Sequence, residues 1–253
     1  MTDAAGLPRF FVPREAARGQ APLDAGRCVA LPASEAHHAA HVLRLGKGDA
    51  VELFDGCGGS ARARIARVRR GEVTAVVETT AEPSVRPRPH IHLAFAVPKG
   101  RRLTWLLEKA TELGAASLAA VRFERSVAGR GERSAAARRR WLSHCIAAAK
   151  QARSAFLPAL EGPTTLEEFL ASPHAGIYGD SRDTATPLLE AVASVACEAA
   201  VHIVVGPEGG LVSGERRALE AGGFAAARLG RTVLRIETAA VALLSAVTAL
   251  RGG

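Results

Sequence analysis

A glycine-rich turn is the part of the sequence whose residue types best suit ligand chemistry. The turn reads GPEGG (206–210), follows the apolar run VHIVV (201–205) and precedes Ser213. At the carboxyl end of a strand in an open parallel sheet, such a turn lets the backbone approach a ligand closely. The sequence therefore predicts a cofactor site here, with Ser213 as the N-cap of the following helix. The plain alternative is a tight turn whose glycines serve only the backbone conformation.

The acidic residue within this turn narrows the class of cofactor. The turn matches neither the GxxxxGK[ST] phosphate loop nor the GxGxxG turn of dinucleotide-binding folds. Glu208 would repel a pyrophosphate, but it would tolerate ribose hydroxyls or a cationic group. S-adenosylmethionine, which carries a sulfonium and no phosphate, suits this environment, and an enzyme with a phosphate cofactor is the weaker alternative.

A second polar loop follows the next predicted strand. In RLGRTVLRIETAAVALLSAVTAL (228–250), Leu229 and Gly230 end a strand and residues 232–236 form a short irregular loop. Glu237 and Thr238 then open a final helix. Because loops that follow adjacent parallel strands meet at one edge of the sheet, we expect the two loops to converge on one ligand.

The first third of the chain has the pattern of a small β-barrel or sheet. Between residues 26 and 80 short runs alternate between apolar and polar residues, as in ARARIARV, which is typical of half-buried strands. One helical insert, SEAHHAAHVLRL, has Ser34 as its predicted N-cap and Gly46 as its end. The proline-rich stretch AEPSVRPRP (81–89) predicts an extended linker. We therefore predict a domain at 1–80, a linker at 81–90 and a second domain at 91–253.

The second domain alternates apolar runs with helical patterns. This alternation predicts an α/β fold with a mostly parallel sheet covered by helices. Besides the helix after Ser213 and the final helix, helices are predicted over LTWLLEKATELG (103–114) and around residues 138–150. The predicted strands are 91–97, 117–121, 175–179, 201–205 and 225–229.

Positive charge is concentrated in one segment. The net charge is +8, and residues 99–153 contain 13 basic and 4 acidic residues, so this segment carries +9 and the rest −1. Such a segment points to a polyanionic partner. Because aromatic residues make up only 4% of the chain, a single-strand binder built on stacking platforms is not favoured.

The cysteines and the apolar runs bear on metals and membranes. Cys28, Cys57, Cys145 and Cys197 form no CxxC pair, so we expect no zinc site. The first residues lack the pattern of a signal peptide, and no stretch approaches the roughly 20 apolar residues of a membrane span. We therefore expect a cytoplasmic protein with reduced cysteines and no membrane partner.

The two loop motifs resemble a known signature. GPEGG followed by LGxxVLRxETA is similar to the signature of the SPOUT class of methyltransferases. Four further stretches extend the resemblance nearly end to end: PRFFV (8–12), HVLRLGKGDAVELFDGCGG (41–59), KGRRLTWLLEKATELGA (99–115) and ERSV (124–127). Together these stretches resemble the ribosomal RNA small subunit methyltransferase E family.

The resemblance implies a fold and an activity. It implies an N-terminal PUA-like β-barrel that helps to bind RNA, and a C-terminal SPOUT-like α/β domain whose trefoil-knotted loops hold S-adenosylmethionine. Members of the family are homodimers, and they methylate N3 of a uridine in small-subunit (16S) ribosomal RNA without a metal. The alternatives are ribose 2′-O methylation of RNA and a non-catalytic RNA-binding or ribosome-assembly factor.

Candidate site residues follow from the motifs. The candidate catalytic residues are Glu208, Arg235 and Glu237, although both glutamates could instead cap neighbouring turns. The candidate cofactor-binding residues are Gly206, Pro207, Glu208, Gly209, Gly210, Leu229, Gly230, Leu234, Thr238 and Ala239. The candidate RNA-binding residues are Arg9, His41, Arg44, Lys99, Arg101, Arg125, Arg138, Arg139, Arg140 and Arg153. The chain departs from the family pattern at Thr232, Ile236 and Ser154, and Arg153 lies one place early.

Overall fold

The chain divides into two compact units in the computed structural model. The structure describes residues 6–14, 23–127, 134–172, 175–195 and 199–251. Unit 1 comprises residues 1–86 and 149–157, and unit 2 comprises residues 87–148 and 158–253. Residues 81–89 lack regular secondary structure and are mostly exposed. The first of the three boundaries between the units, at residues 86 and 87, lies in this stretch.

Unit 1 is built on a five-stranded sheet in the order β1-β3-β4-β5-β2. Its strands are β1 (Arg9–Phe11), β2 (Cys28–Ala30), β3 (Ala50–Phe54), β4 (Ser60–Arg69) and β5 (Glu72–Thr80). β1 runs parallel to β3, and the other pairs are antiparallel. Along β4, Ala61, Ala63 and Ile65 are buried while Arg62 and Arg64 are exposed. This is the alternation that the sequence predicts.

The helical insert of unit 1 differs in detail from the prediction. Helix α1 (Ala33–His37) continues into a π-helical turn at His38–Val42 and stops before Gly46. Pro32 is the N-cap, and no side chain caps this end. Ser34 is therefore inside the helix, and its prediction as N-cap is wrong. Proline suits a helix start because its fixed backbone angle is compatible with entry and it has no N–H to satisfy.

Residues 149–157 belong to unit 1, whereas the sequence analysis assigned them to the second domain. Polar contacts hold this segment. Lys150 Nζ lies 2.9 Å from Glu35 Oε2, and Arg153 Nη2 lies 2.6 Å from Glu52 Oε2. Arg9 Nη1 donates to the carbonyls of Ala149 and Ser154. Contacts between residues more than 100 positions apart leave no trace in local periodicity, so the sequence pattern did not indicate this assignment.

Unit 2 is built on a seven-stranded parallel sheet in the order β10-β12-β9-β11-β6-β7-β8. Its strands are β6 (His90–Phe95), β7 (Ser117–Arg122), β8 (Ala159–Thr165), β9 (Gly176–Gly179), β10 (Thr186–Pro187), β11 (Ala200–Val205) and β12 (Phe224–Arg228). All five predicted strands are present. Strands β8 and β10 are not predicted from the sequence, because β8 is an edge strand whose alternation is broken at Gly162-Pro163 and β10 has only two residues.

Six helices are described in unit 2: α2 (Arg101–Glu112), α3 (Ala135–Gln151, whose last turn lies in unit 1), α4 (Leu166–Leu170), α5 (Leu188–Ser194), α6 (Ser213–Ala221) and α7 (Ile236–Arg251). α7 packs against β6, β11, α2 and α5, while α6 packs against β12 and α4. The core contains Phe95, Leu106, Ile177 and Ile203, which are fully buried. The α/β prediction is confirmed, and the trefoil knot stays a prediction of the family resemblance.

Three of the four cysteines lie in the described part of the chain. Cys28 and Cys57 are exposed and Cys145 is buried, whereas Cys197 lies outside the described residues. Burial raises the pKa of the Cys145 thiol to about 11. In the described ranges, no three His, Cys, Asp or Glu side chains are grouped so that they could hold a metal ion. None of the described helices has the length and apolar character needed to cross a membrane.

Candidate active site

Three loops at the carboxyl edge of the parallel sheet enclose a first cavity of about 260 Å³. The loops follow β9, β11 and β12, which are neighbours in the sheet. Parallel strands end at the same edge, so their loops converge there. The loop at 206–212 and the loop at 229–235 therefore meet as the sequence predicts.

Nine of the ten predicted cofactor-binding residues line this first cavity. They are Gly206, Pro207, Glu208, Gly209, Gly210, Leu229, Gly230, Leu234 and Ala239. Thr238 is exposed and does not line the cavity. Ile236 and Ala239 lie three positions apart on one face of α7 and both contact the cavity, whereas Thr238 lies on another face of the helix. Its assignment as a cofactor-binding residue is not supported by this geometry.

The third loop of the first cavity is not among the predicted cofactor-binding residues. Asp180, Ser181 and Arg182 follow β9 and line the cavity. The Asp180 carboxylate is almost fully buried, and its Oδ2 accepts a hydrogen bond of 2.7 Å from Arg182 Nε. The signal was present in the sequence, since an aspartate directly follows a predicted buried strand at the edge where the other two loops were placed.

The charges of the first cavity balance. Among its described lining residues, the charged ones are Asp180, Arg182, Glu208 and Arg216. Arg182 is paired with Asp180, and Arg216 donates to the carbonyl of Leu211. No lysine stands among these lining residues, so the set does not resemble a polyphosphate cradle. It fits a ligand such as S-adenosylmethionine, which carries an ammonium, a carboxylate and a sulfonium but no phosphate.

A second cavity, of about 210 Å³, adjoins the first. It lies at the carboxyl ends of β6, β7 and β11. Its described lining residues are Ala96, Val97, Lys99, Arg102, Ser126, Val127, Pro207, Glu208 and Ile236. Pro207, Glu208 and Ile236 also line the first cavity. The two cavities therefore share a wall.

The shared wall carries an ion pair that the sequence analysis did not identify. Arg102 Nη1, on α2, lies 2.9 Å from Glu208 Oε1. Both side chains are partly exposed, at 35% and 43%. The partners are 106 residues apart in the chain, so no local motif could have paired them.

Glu215 joins the loop after β7 to the start of α6. Its Oε1 accepts a hydrogen bond of 2.7 Å from Glu124 N, and its Oε2 accepts one of 2.9 Å from Val212 N. Val212 is the N-cap residue of α6, and Ser213 is the first helical residue rather than the predicted N-cap. Arg125 Nη1 makes a second link, because it donates to the carbonyl of Gly209 at 2.7 Å. The loop after β7 is thus linked to the GPEGG turn through Arg125 and to the start of α6 through Glu215.

The three candidate catalytic residues lie in different surroundings. Glu208 lines both cavities. Glu237 is buried, lines neither cavity, and its Oε2 has no hydrogen-bond partner among the described residues. Arg235 is exposed and lines neither cavity, while its carbonyl accepts a hydrogen bond from Ala239 N. Glu208 is therefore the candidate that the geometry places best.

The candidate RNA-binding residues of unit 2 are all exposed at the surface. They are Lys99, Arg101, Arg125, Arg138, Arg139 and Arg140. Lys99 also lines the second cavity. In the described part of the chain, Arg138, Arg139 and Arg140 form no ion pair. Their charges are therefore available to a polyanion.

The candidate RNA-binding residues of unit 1 separate into two groups. His41 and Arg44 are exposed. Arg153 is exposed but paired with Glu52. Arg9 is 5% exposed, its Nε lies 3.1 Å from Glu52 Oε1, and its guanidinium lies over the ring of Phe54. Burial lowers the pKa of Arg9, and Glu52 opposes that shift. Arg9 is thus an interior residue of unit 1 rather than the exposed RNA contact that the sequence analysis proposed.

Comparisons with known proteins agree with this architecture. The family model described as "RNA methyltransferase domain" matches residues 86–248, and the one described as "RNA methyltransferase PUA domain" matches residues 31–78. The ribosomal RNA small subunit methyltransferase E of Mycobacterium bovis is 34% identical over 90% of this chain and 88% of its own length. The Bacillus subtilis protein of the same name is 28% identical over 96% of both chains.

Solved structures show the same fold. A methyltransferase from Legionella pneumophila, in complex with S-adenosylmethionine, superposes with a TM-score of 0.86 at 28% identity, over 97% of this chain and 98% of its own. A ribosomal RNA small subunit methyltransferase E from Neisseria gonorrhoeae, bound to S-adenosylmethionine, gives 0.83 at 27% identity over the same shares. By its sequence matches, its two-unit architecture and its arrangement of loops, this chain belongs to the ribosomal RNA small subunit methyltransferase E family.

Proposed function

We propose that this protein transfers a methyl group from S-adenosylmethionine to N3 of a uridine in 16S ribosomal RNA. The observation that carries the proposal is the pair of adjoining cavities at the carboxyl edge of the sheet. The first has the mixed apolar and polar lining and the charge balance of a small-molecule site, and the lining of the second includes two cations, Lys99 and Arg102, beside Glu208. A transfer reaction between two ligands needs two sites with a common wall, and Glu208 lies on that wall.

The first cavity is the proposed cofactor site. When bound there, S-adenosylmethionine supplies an electrophilic methyl group. The glycines at 206, 209, 210 and 230 bring backbone close to the ligand, and Leu229 and Leu234 offer apolar contacts. Asp180, held by Arg182, supplies a fixed carboxylate for a cationic group. The related structures from Legionella and Neisseria, which hold this cofactor, support the assignment.

The second cavity is the proposed site of the target base. N3 lies on the Watson–Crick edge of uracil, so the nucleotide must be unpaired or flipped out before it can enter. N3 also carries a proton that must leave before or during the transfer. Glu208 is the carboxylate at the shared wall, and we assign it the role of proton acceptor. Holding the base in line with the methyl group supplies much of the remaining catalysis.

The exposed cations of unit 2 are the proposed contacts for the RNA backbone. Arg101 precedes Arg102 at the start of α2, and Arg138–Arg140 form the first turns of α3. Three positive charges near a helix N-terminus oppose the helix dipole, which favours a partner of opposite charge. His41 and Arg44 of unit 1 are the proposed contacts within the PUA-like unit.

A homodimer in the cytoplasm is the state that the family resemblance predicts, and light scattering on the purified protein measures the oligomer.

Methyl transfer in solution tests this proposal. Purified protein is incubated with labelled S-adenosylmethionine and small-subunit ribosomal RNA, either naked or in assembled subunits. Digestion to nucleosides and mass spectrometry then locate the label. We expect N3-methyluridine at one position. A label on ribose would identify a 2′-O methyltransferase instead, and calorimetry that detects no cofactor binding to folded protein would favour a non-catalytic RNA-binding factor.

A further inference from the structure

The ion pair between Arg102 and Glu208 is not explained by stability. Both side chains are more than a third exposed, and a solvated pair of this kind contributes little to stability. Its position is specific, however, because it lies on the wall shared by two cavities. A weak ion pair at the meeting point of two ligand sites points to a role in chemistry.

The charged residues around the second cavity indicate that a negative charge develops on the ligand there during the reaction. Among its described lining residues, Lys99 and Arg102 are positive and Glu208 is negative. A neutral uracil needs no such excess of positive charge. Loss of the N3 proton, however, leaves a negative charge spread over N3 and the two ring carbonyl oxygens. A planar guanidinium donates several N–H groups in a fixed fork and is suited to such an anion.

We propose that Arg102 is a catalytic residue that exchanges one anionic partner for another during the reaction. This inference rests on the proposed function. Before transfer, Arg102 is bound to the Glu208 carboxylate, as observed. As Glu208 accepts the N3 proton it becomes neutral. The Arg102 guanidinium then donates its hydrogen bonds to the uracil anion instead.

The step balances in atoms, electrons and charge. The N3–H bond breaks and an O–H bond forms on Glu208, with the N–H electron pair left on N3. That pair forms the N–C bond to the methyl carbon, while the S–C bond breaks and its electrons stay on sulfur as a neutral thioether. Glu208 afterwards loses its proton to water, and its carboxylate forms the ion pair with Arg102 again. Arg102 carries one positive charge throughout, paired with the Glu208 carboxylate before the step and with the uracil anion during it. After transfer it has no anionic partner until Glu208 loses its proton.

This exchange also accounts for selection of uridine over cytidine. Cytosine has no proton on N3 and reacts there as a neutral base, so its methylation leaves a cationic ring. A cavity lined by Lys99 and Arg102 stabilises an anion and opposes a cation. We therefore expect a uridine-to-cytidine change at the acceptor position to abolish transfer, even though cytosine is of similar size.

The test uses three variants of the full-length protein: Arg102→Ala, Arg102→Lys and, as a matched control, Arg217→Ala. Arg217 is an exposed arginine on α6 that lines neither cavity. Single-turnover rates are measured across pH with small-subunit ribosomal RNA transcribed with either uridine or 5-fluorouridine. Fluorine at C5 withdraws electrons and makes the N3 proton more acidic. Cofactor affinity and thermal unfolding are measured in parallel.

We expect Arg102→Ala to slow transfer at neutral pH by about 10²–10³-fold, the usual cost of losing one group that stabilises a developing anion. The loss should shrink as pH rises and should also shrink with 5-fluorouridine RNA. Arg102→Lys should recover part of the rate, and Arg217→Ala should match the wild type. Cofactor affinity should not change.

Two results would overturn the inference, and they are distinguishable. If the wild type methylates uridine N3 but Arg102→Ala retains full rate, or loses the same factor at every pH and with both RNAs, then only the role of Arg102 is refuted. If the wild type places no methyl group on uridine N3, the proposed function fails and the role of Arg102 fails with it.

Discussion

Two ion pairs, one in each unit, show two different uses of arginine. In unit 1, Arg9 is buried, and Glu52 and two backbone carbonyls hold its guanidinium. In unit 2, Arg102 and Glu208 are half-exposed and lie between two cavities. The buried Arg9 guanidinium cannot leave Glu52 without an uncompensated charge in the interior of unit 1, whereas the half-exposed side chains of Arg102 and Glu208 can separate into solvent. Arginine content alone therefore does not distinguish a structural cation from a functional one.

The same contrast extends to the arginines on the surfaces of the two units. On β4 and β5 of unit 1, Arg62 and Arg64 approach Glu78, and Arg67 approaches Glu72. At the start of α3 in unit 2, Arg138–Arg140 form no ion pair with any described residue. Unpaired surface cations are the ones that an RNA backbone can recruit without displacing an acidic partner.

The largest expected effect comes from the acidic member of the unit 2 pair. Glu208→Gln keeps the shape of the side chain but removes its capacity to accept a proton. We expect kcat to fall by about 10²–10⁴-fold, the range for loss of a general base. The free energy of unfolding should change by less than about 0.5 kcal/mol, as for ordinary surface changes. Glu190→Gln, an exposed change on α5, is the control, and an active Glu208→Gln enzyme would remove Glu208 from catalysis.

The unit 1 pair should behave in the opposite way. Glu52 keeps Arg153 as a partner in Arg9→Ala, but the buried carbonyl contacts of Arg9 with Ala149 and Ser154 are lost. We expect a loss of about 3 kcal/mol in the free energy of unfolding. Chemical denaturation measures this loss, with Arg69→Ala on the exposed end of β4 as the control. The folded variant should keep the salt dependence of RNA binding. A marked fall in that salt dependence would instead indicate that Arg9 contacts the RNA.

The third prediction concerns the binding of S-adenosylmethionine in the first cavity of unit 2. Gly230 lines the first cavity, and a Cβ atom added there would meet no heavy atom within 4 Å. Gly230→Phe should therefore fold normally but occupy the ligand space. Overpacking of about 2 kcal/mol corresponds to roughly a 30-fold weaker affinity for S-adenosylmethionine. Calorimetry measures the affinity. Gly214→Phe, which also has open space but lies outside the cavity, is the control, and equal affinities for the two variants would contradict the cavity assignment.

The smallest expected effect concerns the unpaired arginines of α3. Replacing Arg138, Arg139 and Arg140 together by alanine should lower the slope of log K against log salt by about 2, or roughly 0.7 per lost phosphate contact on single-stranded RNA. The matched triple change of Arg62, Arg64 and Arg67 removes arginines that already have acidic neighbours, so its slope should change less. A larger fall in this slope for the unit 1 variant than for the α3 variant would contradict the prediction.

The sequence predicts those features of the site that depend on local pattern. The strand before GPEGG, the loop before α7 and their meeting at one edge of the sheet all follow from periodicity and glycine placement. Nine predicted cofactor residues line one cavity for this reason. The predicted role of Thr238 in cofactor binding is not supported, because adjacent residues of a helix point in different directions. A sequence motif does not show which of them faces the cavity.

The sequence could not predict features that depend on long-range contacts. The Arg102–Glu208 pair joins residues 106 positions apart, and Arg9 reaches carbonyls 140 and 145 positions away. Neither contact alters local periodicity. The sequence predicts a polyanionic partner for the basic segment 99–153, yet the segment contains Arg153, which binds Glu52 within unit 1, as well as the cations of unit 2.

Mass spectrometry of small-subunit ribosomal RNA from cells with and without this protein tests the central claim most directly. Cells that carry the wild type should contain one N3-methyluridine that is missing from cells without it. Expression of the wild type should restore it, and expression of Glu208→Gln should not. Identical modification in all the samples, or a missing methyl group on a ribose or on another base, would contradict the account.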